Sequence, residues 1–174
     1  MDWRKLQNGS DIRGVALEGI EGEHVNLTHE VIVTIAKSFV KWLRNTTGHD
    51  APTIAVGMDC RLSGERIKSA FVDGAVEAGA HVVDCELAST PAMFMTTISE
   101  QVKAQASVMV TASHLPFNRN GLKFFTPKGG LDSKDIAAIL DIAAKGDYAF
   151  DGAAGSSATF DFMSVYSRHL ADYI

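Results

Sequence analysis

"SVMVTASHLPFNRNGLKFFT", residues 107–126, sets two apolar runs on either side of a polar loop. Ser107–Thr111 and Leu122–Thr126 are each short, rich in branched or aromatic side chains and bounded by turn formers, so each is predicted to be a buried strand. About ten residues separate the two runs. That is too few for the helical crossover that parallel neighbours require, so the second strand is predicted antiparallel. A sheet built around this pair is mixed.

Outward from that pair, "TIAVG" (Thr53–Gly57) and "HVVDC" (His81–Cys85) read as two further buried strands. Ile32, Ile35, Phe39 and Leu43 recur at helical spacing, which predicts a helix from Thr28 to about Thr47 with Gly48 as its stop. Ser63 is read as the cap of a second helix carrying Ile67, Phe71 and Val76 and ending at Gly79. Thr90-Pro91 opens a short helix to about Glu100, since proline is tolerated in a first turn. Asp132 or Ser133 caps another, with Ile136, Ile139, Leu140 and Ala143 on one face and Gly146 at its end.

Strands alternating with helices predict an α/β fold: three layers, a mixed and mostly parallel sheet, helices on both faces. The small, glycine-rich "FDGAAGSSAT" (Phe150–Thr159) reads as a linker. Residues 1–152 are accordingly taken as one domain and 153–174 as a linker and the start of a connector helix.

The chain has 174 residues, enough for one domain with a real core. Sixteen Lys and Arg stand against 21 Asp and Glu, for a net charge of -5 with no basic block, which argues against a nucleic-acid surface. No run reaches the ~18 apolar residues of a membrane span, and the start lacks a signal-peptide core. The expectation is a soluble, cytoplasmic protein, with the plastid left open should a transit peptide have been removed. Cys60 and Cys85 form no metal-binding spacing and are read as free thiols.

In open α/β sheets, functional groups gather beyond the carboxyl ends of strands. Ser113 stands there, two residues past a strand. A serine-hydrolase triad is excluded: there is no GxSxG elbow, and the adjacent His114 is not expected to turn onto its own neighbour's hydroxyl. Three other stretches fall near the same edge. "GSDIRG" (Gly9–Gly14) carries Arg13, "GMDCRLSG" (Gly57–Gly64) carries Asp59 and Arg61, and "STPA" (Ser89–Ala92) follows a strand. An arginine suits phosphate because its planar fork donates two hydrogen bonds at once. For Arg61 an ion pair with Asp59 is the competing reading and is preferred; for Arg13 the flanking glycine favours a ligand.

Taken together, "TASHLPFNRNGLKFF", "IRG", "GMDCRLS" and "TPA" resemble, in order and spacing, the first-domain motifs of the α-D-phosphohexomutases. The serine loop of that family has the form TASHNPxxxNGxK. The resemblance implies that Ser113 is the phosphate-carrying nucleophile, Lys123 the general acid/base and His114 an active-site hydrogen-bond partner. It implies Arg13, Asn120 and Gly121 as phosphate or substrate contacts, with Asp59 and Arg61 shaping the loop. It also implies Mg2+ bound through the phosphate on Ser113, a hexose 1,6-bisphosphate activator, a hexose phosphate substrate, and later domains of the same enzyme as partners. The implied reaction moves phosphate between O1 and O6 of a hexose. A nearby lysine could instead serve Ser113 as a counter-ion.

Leu115 stands where the family usually has asparagine, and Met58 where arginine is common. The lead-in to "IRG" is shortened to "NGSD". Loss of the amide predicts a looser loop or slower turnover. The resemblance implies domain one alone, expected not to turn over by itself. A non-catalytic phosphosugar-binding or protein-interaction module with the same fold is the alternative.

Overall fold

A computed structural model describes residues 1–173. After a short 3-10 turn at Trp3–Leu6 the elements run β1 (Gln7–Asn8), β2 (Asp11–Val15), α1 (His29–Thr47), β3 (Thr53–Met58), α2 (Gly64–Glu77), β4 (His81–Leu87), α3 (Thr90–Thr96), β5 (Ala106–Val110), β6 (Arg119–Thr126), β7 (Gly129–Gly130), α4 (Ser133–Lys145), β8 (Ser156–Thr159) and α5 (Phe162–Ala171). One sheet holds all the strands in the order β1-β2-β6-β5-β3-β4-β8, with β7 beside β6. Strands β5, β3, β4 and β8 pair in parallel. The remaining pairs are antiparallel, β5–β6 among them, as the short connection requires. Antiparallel pairing therefore extends beyond the one strand expected to show it.

Alternation along the strands builds the layers. Ile54, Val56, Val108, Val110, Leu122 and Phe124 point to the face covered by α1, α2 and α4. Ala55, Met109 and the half-buried Phe125 point to the other face, where Met93 of α3 and Phe162 of α5 close a smaller core. Phe39 and Phe124 meet at 4.7 Å between ring centroids with their planes tilted by 43°, within the separation at which aromatic pairs attract.

Local chemistry sets the helix ends. Thr28 Oγ1 accepts from the Val31 amide at the start of α1, and Gly48 ends it in the left-handed region at φ 76°. Asp132 caps α4 in a reciprocal capping box with Asp135. Ser63 departs from its expected role. It stands at the N-cap of α2 but makes no cap bond, because its hydroxyl accepts from Asn120 Nδ2 at 2.8 Å. The helix opened by Thr90-Pro91 stops at Thr96 rather than Glu100.

The stretch read as a linker closes with strand β8, which pairs with β4 from His81↔Ser156 to Asp84↔Thr159. Tertiary pairing overrides its weak intrinsic strand preference. No helix of the described residues is long and apolar enough to cross a membrane.

Candidate active site

The carboxyl ends of the neighbouring strands β3 and β5 meet at one edge of the sheet. The chain leaves β3 through Asp59–Ser63 into α2 and leaves β5 through Thr111–Asn118 into β6. The second of these loops carries Ser113.

Ser113 is exposed and has φ 56°, a left-handed conformation uncommon outside glycine. Both sides of its backbone are held. On the amino side, its N–H donates to Thr111 Oγ1 at 3.0 Å, and that hydroxyl donates to Asp59 Oδ2 at 2.7 Å. On the carboxyl side, Arg61 Nη2 donates to the carbonyls of Ser113 and Leu115, both at 2.8 Å. Arg61 Nη1 donates to the carbonyls of Pro116 and Arg119 at 2.9 and 3.0 Å. Its Nε faces Asp59 Oδ2 at 3.5 Å, an ionic contact without a hydrogen bond. The preferred reading of Arg61 as a structural partner of Asp59 thus covers only part of its work, since the guanidinium also fills the turn of the serine loop.

The same contacts bear on Leu115. Its carbonyl is held by Arg61 and its amide donates to the Ala112 carbonyl at 3.1 Å. The loop is fixed through its main chain here, without the side-chain amide whose loss predicted looseness. His114 also departs from expectation: its Nδ1 lies 3.4 Å from Ser113 Oγ, a long but direct approach. The left-handed turn at Ser113 accompanies this approach of adjacent side chains.

Strand pairing delivers the cations. Arg13 lies opposite Gly121, and Asp11 lies opposite Lys123, in the β2–β6 ladder. Side chains two apart on a strand, or directly opposite across a ladder, share a face, so Arg13, Asp11 and Lys123 project together. Arg13 Nη1 donates to the carbonyl of Ala112, next to Ser113, at 2.7 Å. Its Nε and Nη2 donate to Asp11 Oδ2 at 3.2 and 2.8 Å. Lys123 Nζ stands 2.9 Å from Asp11 Oδ1, an ion pair off the hydrogen-bonding direction, which leaves that buried oxygen without a hydrogen bond. Sequence reasoning missed Asp11, although it lies two residues before Arg13.

The expected ligand contacts Asn120 and Gly121 are buried and sit behind the loop. Asn120 is fully buried, with Nδ2 donating to Ser63 Oγ and Oδ1 accepting from the Gly121 amide, each at 2.8 Å. A Cβ on Gly121 would lie 2.3 Å from the Ile12 carbonyl oxygen and 2.9 Å from Arg13 Cγ. Asn120 ties the loop to α2, and Gly121 lets β2 come close enough to place Arg13. A second brace lies outside: Arg119 and Asn118 donate to Glu23, at 2.6 and 2.7 Å in their shortest bonds. Those two partners, Arg119 first, hold the Glu23 carboxyl below its ordinary range.

Among the described residues, no group of three or more His, Cys, Asp or Glu is placed to hold a metal ion. Magnesium demands near-octahedral oxygen ligation, so these residues by themselves do not fit it. A cleft between α3 and α5, lined by Met95, Phe162 and Tyr166, holds none of the site residues. The serine loop instead stands open at the sheet edge.

A family model described as phosphoglucomutase/phosphomannomutase, alpha/beta/alpha domain I, matches residues 4–150. A phosphoglucosamine mutase of Streptococcus sanguinis (strain SK36) is 37% identical over 131 residues, covering 72% of this chain and 28% of its own. A phosphoglucomutase/phosphomannomutase of Thermococcus kodakarensis is 34% identical over 137 residues, covering 79% of this chain and 28% of its own. The chain thus spans under a third of the length of these relatives. The crystal structure of a phosphoglucomutase/phosphomannomutase family protein from Burkholderia thailandensis superposes with a TM-score of 0.78 at 24% identity, over 94% of this chain and 34% of that one. That likeness speaks for the fold.

Proposed function

Because the chain belongs to the phosphoglucomutase/phosphomannomutase family through that α/β/α domain I, we propose that it is the serine-bearing domain of a phosphohexomutase. Ser113 carries the phosphate that passes between O1 and O6 of a hexose, by way of a hexose 1,6-bisphosphate. One observation carries the reading: Ser113 is exposed in a left-handed turn at a strand end, while Arg13 reaches the carbonyl beside it. A phosphoserine of about -1.5 to -2 charge needs cations close by, and phosphoryl transfer asks chiefly for positioning and charge stabilisation.

In this reading the phosphoserine gives its phosphoryl group to a sugar hydroxyl. A bond forms between the sugar oxygen and phosphorus while the bond from Ser113 Oγ to phosphorus breaks. Lys123, ion-paired with Asp11, acts as the general acid/base: it gives a proton to Ser113 Oγ as that bond breaks and takes the sugar hydroxyl's proton in its place, ending with the charge it began with. His114 Nδ1, 3.4 Å from Ser113 Oγ, is the hydrogen-bond partner of that oxygen. Return transfer from the other position of the bisphosphate reverses these roles. Arg13 faces the phosphate; Arg61, Asp59, Asn120 and Gly121 hold the loop that presents it. Mg2+ on the phosphate of Ser113 belongs to the proposal, with its other ligands from outside the described residues, as do later domains of the same enzyme.

The test is incubation of the chain with glucose 1,6-bisphosphate and Mg2+, followed by mass spectrometry. A phosphate-sized gain on Ser113, absent from Ser113→Ala, is expected. Equal labelling of the two proteins, or none of either, would favour the non-catalytic module.

A further inference from the structure

Asp11 is an acid in a place built for an anion. Its side chain is 8% exposed, and it lies on the same sheet face as the two cations assigned to phosphate chemistry. One oxygen accepts both an Nε and an Nη2 bond from Arg13. The other faces Lys123 Nζ at 2.9 Å and has no hydrogen bond. Two cations and one carboxylate leave one net positive charge, where Arg13 and Lys123 alone would present two. A carboxylate so close would repel an arriving phosphate, so its presence calls for a compensating role.

We infer that Asp11 is a positioning residue, the standing counter-ion that keeps Arg13 and Lys123 on the serine side of the sheet and limits how tightly the pair holds phosphate. The assignment rests on the proposed transfer through Ser113. Arg13 is anchored at Nε and Nη2 by Asp11, which leaves Nη1 aimed at the Ala112 carbonyl. Lys123 is held opposite Asp11 by register, and the ion pair fixes where its long, flexible stem ends. A phosphoryl group must also leave this site. A cation pair without its carboxylate would bind the ground state more tightly and gain nothing in the transition state.

The experiment titrates inorganic phosphate into the chain and its Asp11→Asn and Asp11→Ser variants, by calorimetry at constant ionic strength. Asparagine keeps the shape and an acceptor for Arg13; serine keeps a smaller one. Removing a neighbouring negative charge should tighten phosphate binding by about three- to tenfold, while labelling of Ser113 by glucose 1,6-bisphosphate slows. A merely structural role would weaken both. Unchanged or weaker phosphate binding in a folded variant would overturn the inference. So would a parent chain that binds no phosphate, or loss of the parent's circular-dichroism spectrum in both variants. Absence of Ser113 labelling in the parent would overturn the proposed function instead, and the phosphate titration reports independently of it.

Discussion

Arg61 Nη2 donates to the carbonyl of Ser113 at 2.8 Å, although the two residues are 52 positions apart. The same guanidinium holds the carbonyls of Leu115, Pro116 and Arg119. Four orphaned carbonyls and an uncompensated Asp59 would remain in Arg61→Ala. Loss of charged hydrogen bonds of this kind should cost about 2–4 kcal/mol. Hydrogen exchange should rise at amides 113–119 and stay slow in β3 and β5. Arg61→Lys should recover little, because an ammonium lacks the planar fork that reaches four acceptors. Full protection of the loop in Arg61→Ala would remove the clamp from the account.

The left-handed backbone at Ser113 separates two substitutions that both delete the hydroxyl. Ser113→Ala keeps the Cβ and its conformational cost, so its stability should stay within ~0.5 kcal/mol of the parent. Ser113→Gly relieves the Cβ contact and should be more stable than Ser113→Ala by about 1 kcal/mol. Denaturant unfolding measures the difference. Neither variant should take up phosphate at residue 113. The opposite stability order would mean that the φ of 56° is not retained in solution.

Much of this fold could be read from periodicity. Strands β3, β4, β5 and β6 are short apolar runs bounded by turns, and α1 and α4 show a single apolar stripe with glycine at the end. The antiparallel β6 followed from chain length alone. Strand β2 was not legible, because "DIRGV" mixes charge and glycine and becomes a strand through its pairing with β1 and β6. Strand β8 is all exposed Ser, Ala and Thr, and joins the sheet through the edge of β4. Within the site, Arg13 and Lys123 lie inside β2 and β6 rather than at a strand end, and the role of Lys123 came only with the family resemblance. Ser113 was legible as a hydroxyl just past a strand and Arg13 as a cation beside a glycine. The Arg61 clamp was not, since backbone carbonyls have no sequence signature. Nor was Asp11, whose pairing with Lys123 depends on register between strands far apart in sequence.

Gly121 is expected to tolerate no side chain. The Cβ of Gly121→Ala would lie 2.3 Å from the Ile12 carbonyl, a backbone atom that cannot move aside alone. Strand β2 must shift, at a cost of about 1–3 kcal/mol typical of overpacking, and Arg13 shifts with it. Inorganic phosphate affinity should fall along with stability, the reverse of the result expected for Asp11→Asn. An unchanged melting temperature would show that β2 and β6 are not packed this tightly.

Acid should loosen the outer brace before it touches the core. Glu23 is held below the ordinary carboxylate range, first by Arg119 and then by Asn118. A group whose folded pKa is depressed stabilises fully above its unfolded value, and that contribution is lost as pH falls through the folded value. Amide signals of Asn118 and Arg119 should therefore shift only at a pH below the range where free glutamate titrates. In Glu23→Gln the shift should be absent. A titration identical in parent and variant would assign the change to another carboxylate.

The chain should accept phosphate on Ser113 without interconverting hexose phosphates at a useful rate. Among its described residues, nothing groups three acidic or imidazole ligands for a metal. Magnesium added to the assay would then meet the phosphate of Ser113 with too few protein oxygens to stay in place. Arg13 and Lys123 form one cluster of cations at the loop, with Asp11 already taking part of their charge. The second phosphate of a bisphosphate finds no assigned clamp, so the intermediate should leave rather than turn round. The measurement is a coupled assay of the purified chain with glucose 1-phosphate, glucose 1,6-bisphosphate and Mg2+. Labelling of Ser113 without glucose 6-phosphate production is expected. Sustained turnover that disappears in Ser113→Ala would mean that these residues form a complete site, with phosphate and metal contacts not identified in this fold.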